Sequence, residues 1–234
     1  MFGLNKKIDN MEIINPDLFL FFSKLKRNNN RGWFQSNKAE FKKLESEVRS
    51  FVKKIEENLQ KHDKIEKSKI FRIYRDIRFS KNKTPYKNHF GIAFHREKPY
   101  LRGGYYIHLE PENSFLGVGF WAPNTKDLFR IRKELEFDAA ELETLISDPT
   151  FKKYWTELSG DEVKTAPKGF SKEHPNINLI RKKQYVFIKN FSNKEVLSSD
   201  FLTVVDKYFI NIRPFFDYMS SVLTTDLNGE SLLD

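Results

Sequence analysis

The chain has 234 residues, 39% of them hydrophobic, with 41 Lys and Arg against 32 Asp and Glu for a formal net charge of +9; that length can bury one large core, and the apolar content excludes global disorder. The longest aliphatic or aromatic run, Leu18 to Phe22, falls far short of the roughly 20 residues a spanning helix needs, and the first residues lack an apolar signal core. There is no cysteine, which excludes disulfides, thiolate metal sites and a cysteine nucleophile; a soluble, non-exported, cytoplasmic protein without membrane contact is expected.

A single domain is expected over 1–234, with 1–14 as its flexible start. Asn15-Pro16-Asp17 supplies an N-cap, a proline for the first helical position and a first-turn carboxylate, and predicts a short helix that ends at Arg27-Asn28-Asn29-Asn30. Phe41, Leu44, Val48, Phe51, Val52, Ile55 and Leu59 then recur at three- and four-residue spacing, which predicts a long amphipathic helix entered through a loose capping box at Asn37 to Glu40. From Ile70 the period becomes two, with Phe71, Ile73, Ile77 and Phe79 alternating against Arg72, Tyr74, Asp76 and Arg78, the pattern of a half-buried strand.

Strands follow at His89 to Phe94, Gly104 to Leu109 and Phe115 to Trp121, the last two joined by a hairpin loop at Glu110 to Ser114. Asn124-Thr125 caps a helix over Asp127 to Leu135, and Ala139 to Ile146 gives another before Asp148-Pro149 breaks the pattern. Thr165 to Asn178 reads as an extended connection and Lys183 to Asn190 as a strand. A last helix spans about Ser199 to Leu223, with Pro214 as its kink. The sum is an α+β fold: an antiparallel sheet of about five or more strands flanked by N-terminal and C-terminal helices.

The positive charge is local. Residues 1–123 carry +11 and 124–234 carry −2, and Lys64 to Arg102 alone holds a net +9. Such a field attracts phosphate-rich partners, nucleic acid being the largest polyanion; a solvated lysine surface reads the same way. On the expected strand Arg72, Tyr74, Asp76 and Arg78 project to one side, and guanidinium forks pair bidentately with phosphate or carboxylate. Arg75 falls among the apolar positions, where it needs a carboxylate partner or a bulge. The turn Ser80 to Lys87, with Lys81, Lys83 and Lys87, offers donors to phosphate without the glycines of a P-loop. Arg72, Tyr74, Arg75, Arg78, Lys81, Lys83 and Lys87 are therefore the candidate ligand-binding residues, and an Arg-Asp network that fixes sheet packing is the alternative.

The block from Phe71 to Lys87 is similar to the signature of a bacterial family of conserved hypothetical proteins, domain of unknown function 2461. Asn29-Asn30-Arg31-Gly32-Trp33-Phe34, Gly104 to Pro111, Gly117 to Gly119, Pro167 to Phe170 and His174-Pro175 extend the resemblance over most of the chain. It implies no assigned activity, cofactor or catalytic residue.

Tyr106, His108 and Glu110 share one side of a strand, and His108 and Glu110 could join Asp76 as an acid/base or metal group. The five histidines form no metal-binding motif, so neither metal nor cofactor is expected. Gly117 and Gly119 leave room for a ligand or for a ring such as Tyr105. Trp33, Phe34, Tyr100, Tyr105 and Tyr106 can stack bases or fill a core, and Lys168, His174, Arg181, Lys182 and Lys183 form a weaker basic cluster. Three functions stay open: an anion-binding domain for a phosphate-rich ligand, an enzyme acting on a phosphorylated or carboxylated small molecule, and a module docking an acidic protein.

Overall fold

Five antiparallel strands form a meander in chain order, β1 (Ile65–Ile70), β2 (Phe90–Arg96), β3 (Gly104–Leu109), β4 (Ser114–Phe120) and β5 (Tyr185–Phe191). The structure is a computed structural model that describes residues 13–233; the flexible start expected for 1–14 lies almost wholly outside the described residues. Ahead of the sheet come α1 (Pro16–Arg27), α2 (Arg31–Ser36) and α3 (Lys38–Leu59). Between β4 and β5 lie α4 (Thr125–Phe137), α5 (Ala140–Ser147), α6 (Pro149–Tyr154) and α7 (Ile177–Ile180), and after β5 come α8 (Asn193–Val196), α9 (Phe201–Asn211) and α10 (Arg213–Thr224). The architecture is α+β, and no helix among the described residues is long and apolar enough to cross a membrane.

The local signals explain the helices. Asn15 accepts from the Asp17 amide ahead of Pro16, and Asn124 caps α4 through the Asp127 amide. Asn37 forms no capping box, because its side-chain amide donates instead to the Trp33 carbonyl at the end of α2. Asp148-Pro149, expected as a breaker, starts α6: Asp148 accepts from the Thr150 and Phe151 amides, and proline suits the first turn. The expected C-terminal helix is two, divided at Ile212 with Pro214 in the first turn of α10.

Successive side chains point to opposite faces of the sheet, and the helices cover one face. Phe22 and Phe41 pack on Phe90, Phe209 and Phe216 on Tyr105, and Phe151 and Phe215 on Phe187. Phe34 and Tyr105 are therefore core residues, not free platforms for bases. The opposite face carries Gly91, Ala93, Tyr106, His108, Phe115 and Gly117, and it is only half covered, with Ile188 39% exposed.

The alternating stretch from Ile70 to Phe79 is not a strand. The strand β1 ends at Ile70, and residues 71–89 form an irregular hairpin-like excursion closed by hydrogen bonds from Lys87 to Ile73 and from Arg75 to Pro85. Ile73 is buried while Phe79 at the tip is 96% exposed, so the period of two follows a segment lying along an edge. Arg72, Tyr74, Asp76 and Arg78 accordingly form no common anion-binding face of a sheet.

Candidate functional site

The excursion is held against α2 by an amide clamp. The Asn29 side chain donates to the Tyr86 carbonyl at 2.9 Å and accepts from the Tyr86 amide at 3.1 Å, so it occupies the place of a neighbouring strand. Phe34 stacks on Tyr86 with ring centroids 4.1 Å apart, a contact worth about 0.5–1.5 kcal/mol beyond its buried area. Two segments distant in sequence thereby become the walls of one cleft of about 580 Å³.

Arg31, Gly32 and Gln35 of α2 line one wall; Tyr74, Arg75, Ile77, Pro85 and Tyr86 line the other. Neither Arg31 nor Arg75 has a carboxylate partner among the described residues, and the one side-chain contact of Arg75 is a long one of 3.4 Å to the Thr84 hydroxyl. The either-or posed by the sequence for Arg75 is thus resolved differently: it is half-buried, unpaired and turned to a cleft. Burial pushes the Tyr86 phenol above its ordinary value, Tyr74 adds to this, and the nearby charge of Arg31 opposes it.

The remaining candidates divide. Arg78 forks onto Asp76 at 3.0 and 2.7 Å, and these bonds hold the Asp76 carboxyl below its ordinary value. The pair is exposed at the tip of the excursion. The Lys83 ammonium donates to the Ile77 carbonyl at 3.0 Å and so braces the same turn. Arg72 and Lys81 are exposed and carry no ion pair among the described residues, and the Lys87 ammonium lies over the Phe71 ring at 5.9 Å. Of the second basic cluster, Arg181 is paired with Glu162 at 2.9 Å.

A second group of polar side chains lies on the half-covered face. His108 Nε2 is 3.0 Å from Glu110 Oε2, and His108 Nδ1 is 3.2 Å from the Tyr106 hydroxyl. Asn88 and Asn113 donate to the two Glu110 oxygens at 2.6 and 2.9 Å. Burial raises the Glu110 carboxyl, and these hydrogen bonds outweigh it and leave the group below its ordinary value. The His89 ring lies against His108, centroids 4.2 Å apart. Burial, then the charge of His108, lowers His89 to about 4; Glu110 opposes this and Lys87 and Arg75 add smaller contributions to it. Asp76, expected to join His108 and Glu110, is taken up by Arg78 on the exposed tip.

The glycines do something other than expected. Gly117 faces Tyr106, not Tyr105, and Gly119 adopts φ of +125° where a side chain would overlap the Tyr185 carbonyl. A Cβ on Gly91 would meet the Tyr106 hydroxyl at 2.5 Å, so this glycine makes room for the phenol that touches His108. Arg31 and His89 were missed as site residues. The first stands within the Asn29 to Phe34 string that carried the resemblance, whereas nothing local marks the second.

The model of the conserved hypothetical protein family DUF2461 matches residues 17–218, from α1 into α10, and the chain belongs to that family. No curated protein and no solved structure matches it.

Proposed function

We propose that this DUF2461 member is an anion-binding domain whose cleft between α2 and the 71–89 excursion takes a phosphate-bearing small molecule of nucleotide-like size. The observation that carries the reading is the pair Arg31 and Arg75, two guanidiniums lining one cleft and without carboxylate partners among the described residues. A planar guanidinium retains several donors in a fixed fork, which suits phosphate oxygens. Tyr74 and Tyr86 supply an aromatic wall, and a volume of about 580 Å³ falls within the range of small-molecule sites. The size favours a compact ligand over a nucleic-acid strand, which would instead engage the lysines of the tip.

Calorimetric titration with inorganic pyrophosphate tests this. Each charge-assisted hydrogen bond contributes about 1.5–3 kcal/mol, so Arg31→Ala and Arg75→Ala are each expected to weaken binding about ten- to hundredfold, while Arg78→Ala leaves it unchanged. Binding that ignores both cleft substitutions, or that is lost only when tip residues are replaced, overturns the proposal. A second reading, an enzyme acting on a phosphorylated or carboxylated small molecule, is favoured by the hydrogen-bonded His108–Glu110 pair. Turnover of p-nitrophenyl phosphate that is abolished by Glu110→Gln supports it, and wild-type turnover in that variant removes it.

A further inference from the structure

The β2–β3 ladder brings together three groups that no sequence motif connects. His108 lies on β3 and Glu110 just past its end, and their side chains meet at 3.0 Å. Extending the register one step beyond Phe90↔Leu109 sets His89 across from Glu110. One donor atom from each of His89, His108 and Glu110 lies within 4.8 Å of the other two. We propose that these three side chains form a mononuclear site for a divalent first-row transition ion, held by two imidazoles and one carboxylate with a further coordination position open.

The geometry favours a site over a plain hydrogen bond on three counts. First, three potential ligand atoms converge, each within 4.8 Å of the other two, where ligands around a tetrahedral zinc at about 2.0–2.1 Å sit about 3.3 Å apart, so small side-chain shifts bring the set to coordinating distance. Second, the flanking groups orient the donors as outer partners of a metal do. The Tyr106 hydroxyl engages His108 Nδ1 and leaves Nε2 directed at Glu110, and Asn88 and Asn113 fix the carboxylate. Third, the His89 ring makes no hydrogen bond among the described residues, although it is half-buried against His108. With imidazole and carboxylate donors and no thiolate, the set suits zinc and its first-row neighbours.

The experiment is calorimetric titration of the metal-free full chain with Zn²⁺ in a phosphate-free buffer, with Co²⁺ absorption as an independent readout of coordination. One equivalent is expected to bind. His89→Ala and Glu110→Gln, each retaining wild-type circular dichroism, are expected to lose affinity about tenfold or more and to lose the Co²⁺ bands. His95→Ala, exposed on the same face of β2, and Arg31→Ala, in the phosphate cleft, are expected to bind as wild type. Absence of saturable binding, wild-type affinity in His89→Ala, or an equal loss in His95→Ala overturns the site, and none of these results bears on pyrophosphate binding at Arg31 and Arg75.

Discussion

Arg96 and Arg78 each pair with an aspartate, yet replacing them should have very unequal consequences for stability. The Arg96 and Asp63 side chains are both 0% exposed, with Nε to Oδ2 at 2.7 Å. The same guanidinium donates to the Arg102 carbonyl at 2.7 Å and to Ser220 and reaches Asp217, and it lies over the Phe216 ring. Removing one partner of a buried pair costs about 3–5 kcal/mol, because the other charge stays uncompensated in a medium that solvates it poorly. After Arg96→Met, Asp63 would keep the Lys64 amide at 2.8 Å, the Tyr105 hydroxyl at 2.5 Å and Arg213 at 3.5 Å. This residual support puts the cost near the lower bound, about 3 kcal/mol, and for a chain of this size each kcal/mol lowers the melting temperature by about 2–4 °C. Thermal unfolding followed by circular dichroism is thus expected to shift down by about 6–12 °C. Arg78→Met, at the solvated tip, is expected to leave it unchanged. A shift in Arg96→Met no larger than that in Arg78→Met would refute the reasoning that burial sets the energetic weight of these pairs.

Two further outcomes follow from the fold. Gly119→Ala forces a side chain onto a positive φ and into the Tyr185 carbonyl; it is expected to cost at least about 1–3 kcal/mol, read as a lower denaturant midpoint, and an unchanged midpoint contradicts the β4–β5 geometry. At Glu45, burial raises the carboxyl and the bonds from Lys42 and Arg49 outweigh it, holding it below its ordinary value of 4.5. The folded form therefore holds this proton less tightly than the unfolded one, and the stabilisation is present above the ordinary value and lost as pH falls through the folded value. Glu45→Gln should be less stable than wild type by under about 1 kcal/mol at pH 7, with the gap closing below pH 4; a gap that persists at low pH contradicts the ion-pair origin.

Legibility from the sequence followed the range of the forces. The cap of α1, the periodicity of α3 and the β3–β4 hairpin are local patterns, and the structure places all three where they were read. The excursion misled because alternation reports burial on one side, and a segment packed along an edge shows it without joining a ladder. The strand β1 was hidden for the converse reason: Ile65-Glu-Lys-Ser-Lys-Ile70 is an edge strand whose lysines face solvent, as edges tolerate. Arg31 with Arg75, His89 with Glu110, and Asp63 with Arg96 are meetings of distant residues. Their chemistry exists only after the chain has folded, so composition registered the charge and could not say which cations face a cleft.

The central claim is that the unpaired guanidiniums of Arg31 and Arg75 hold an anion between them. A crystal of the protein soaked in phosphate tests it most directly. The account requires phosphate density in the cleft within about 2.7–2.9 Å of nitrogens from both arginines. Phosphate ordered only on the lysines of the tip, with the cleft holding nothing but solvent, would contradict it.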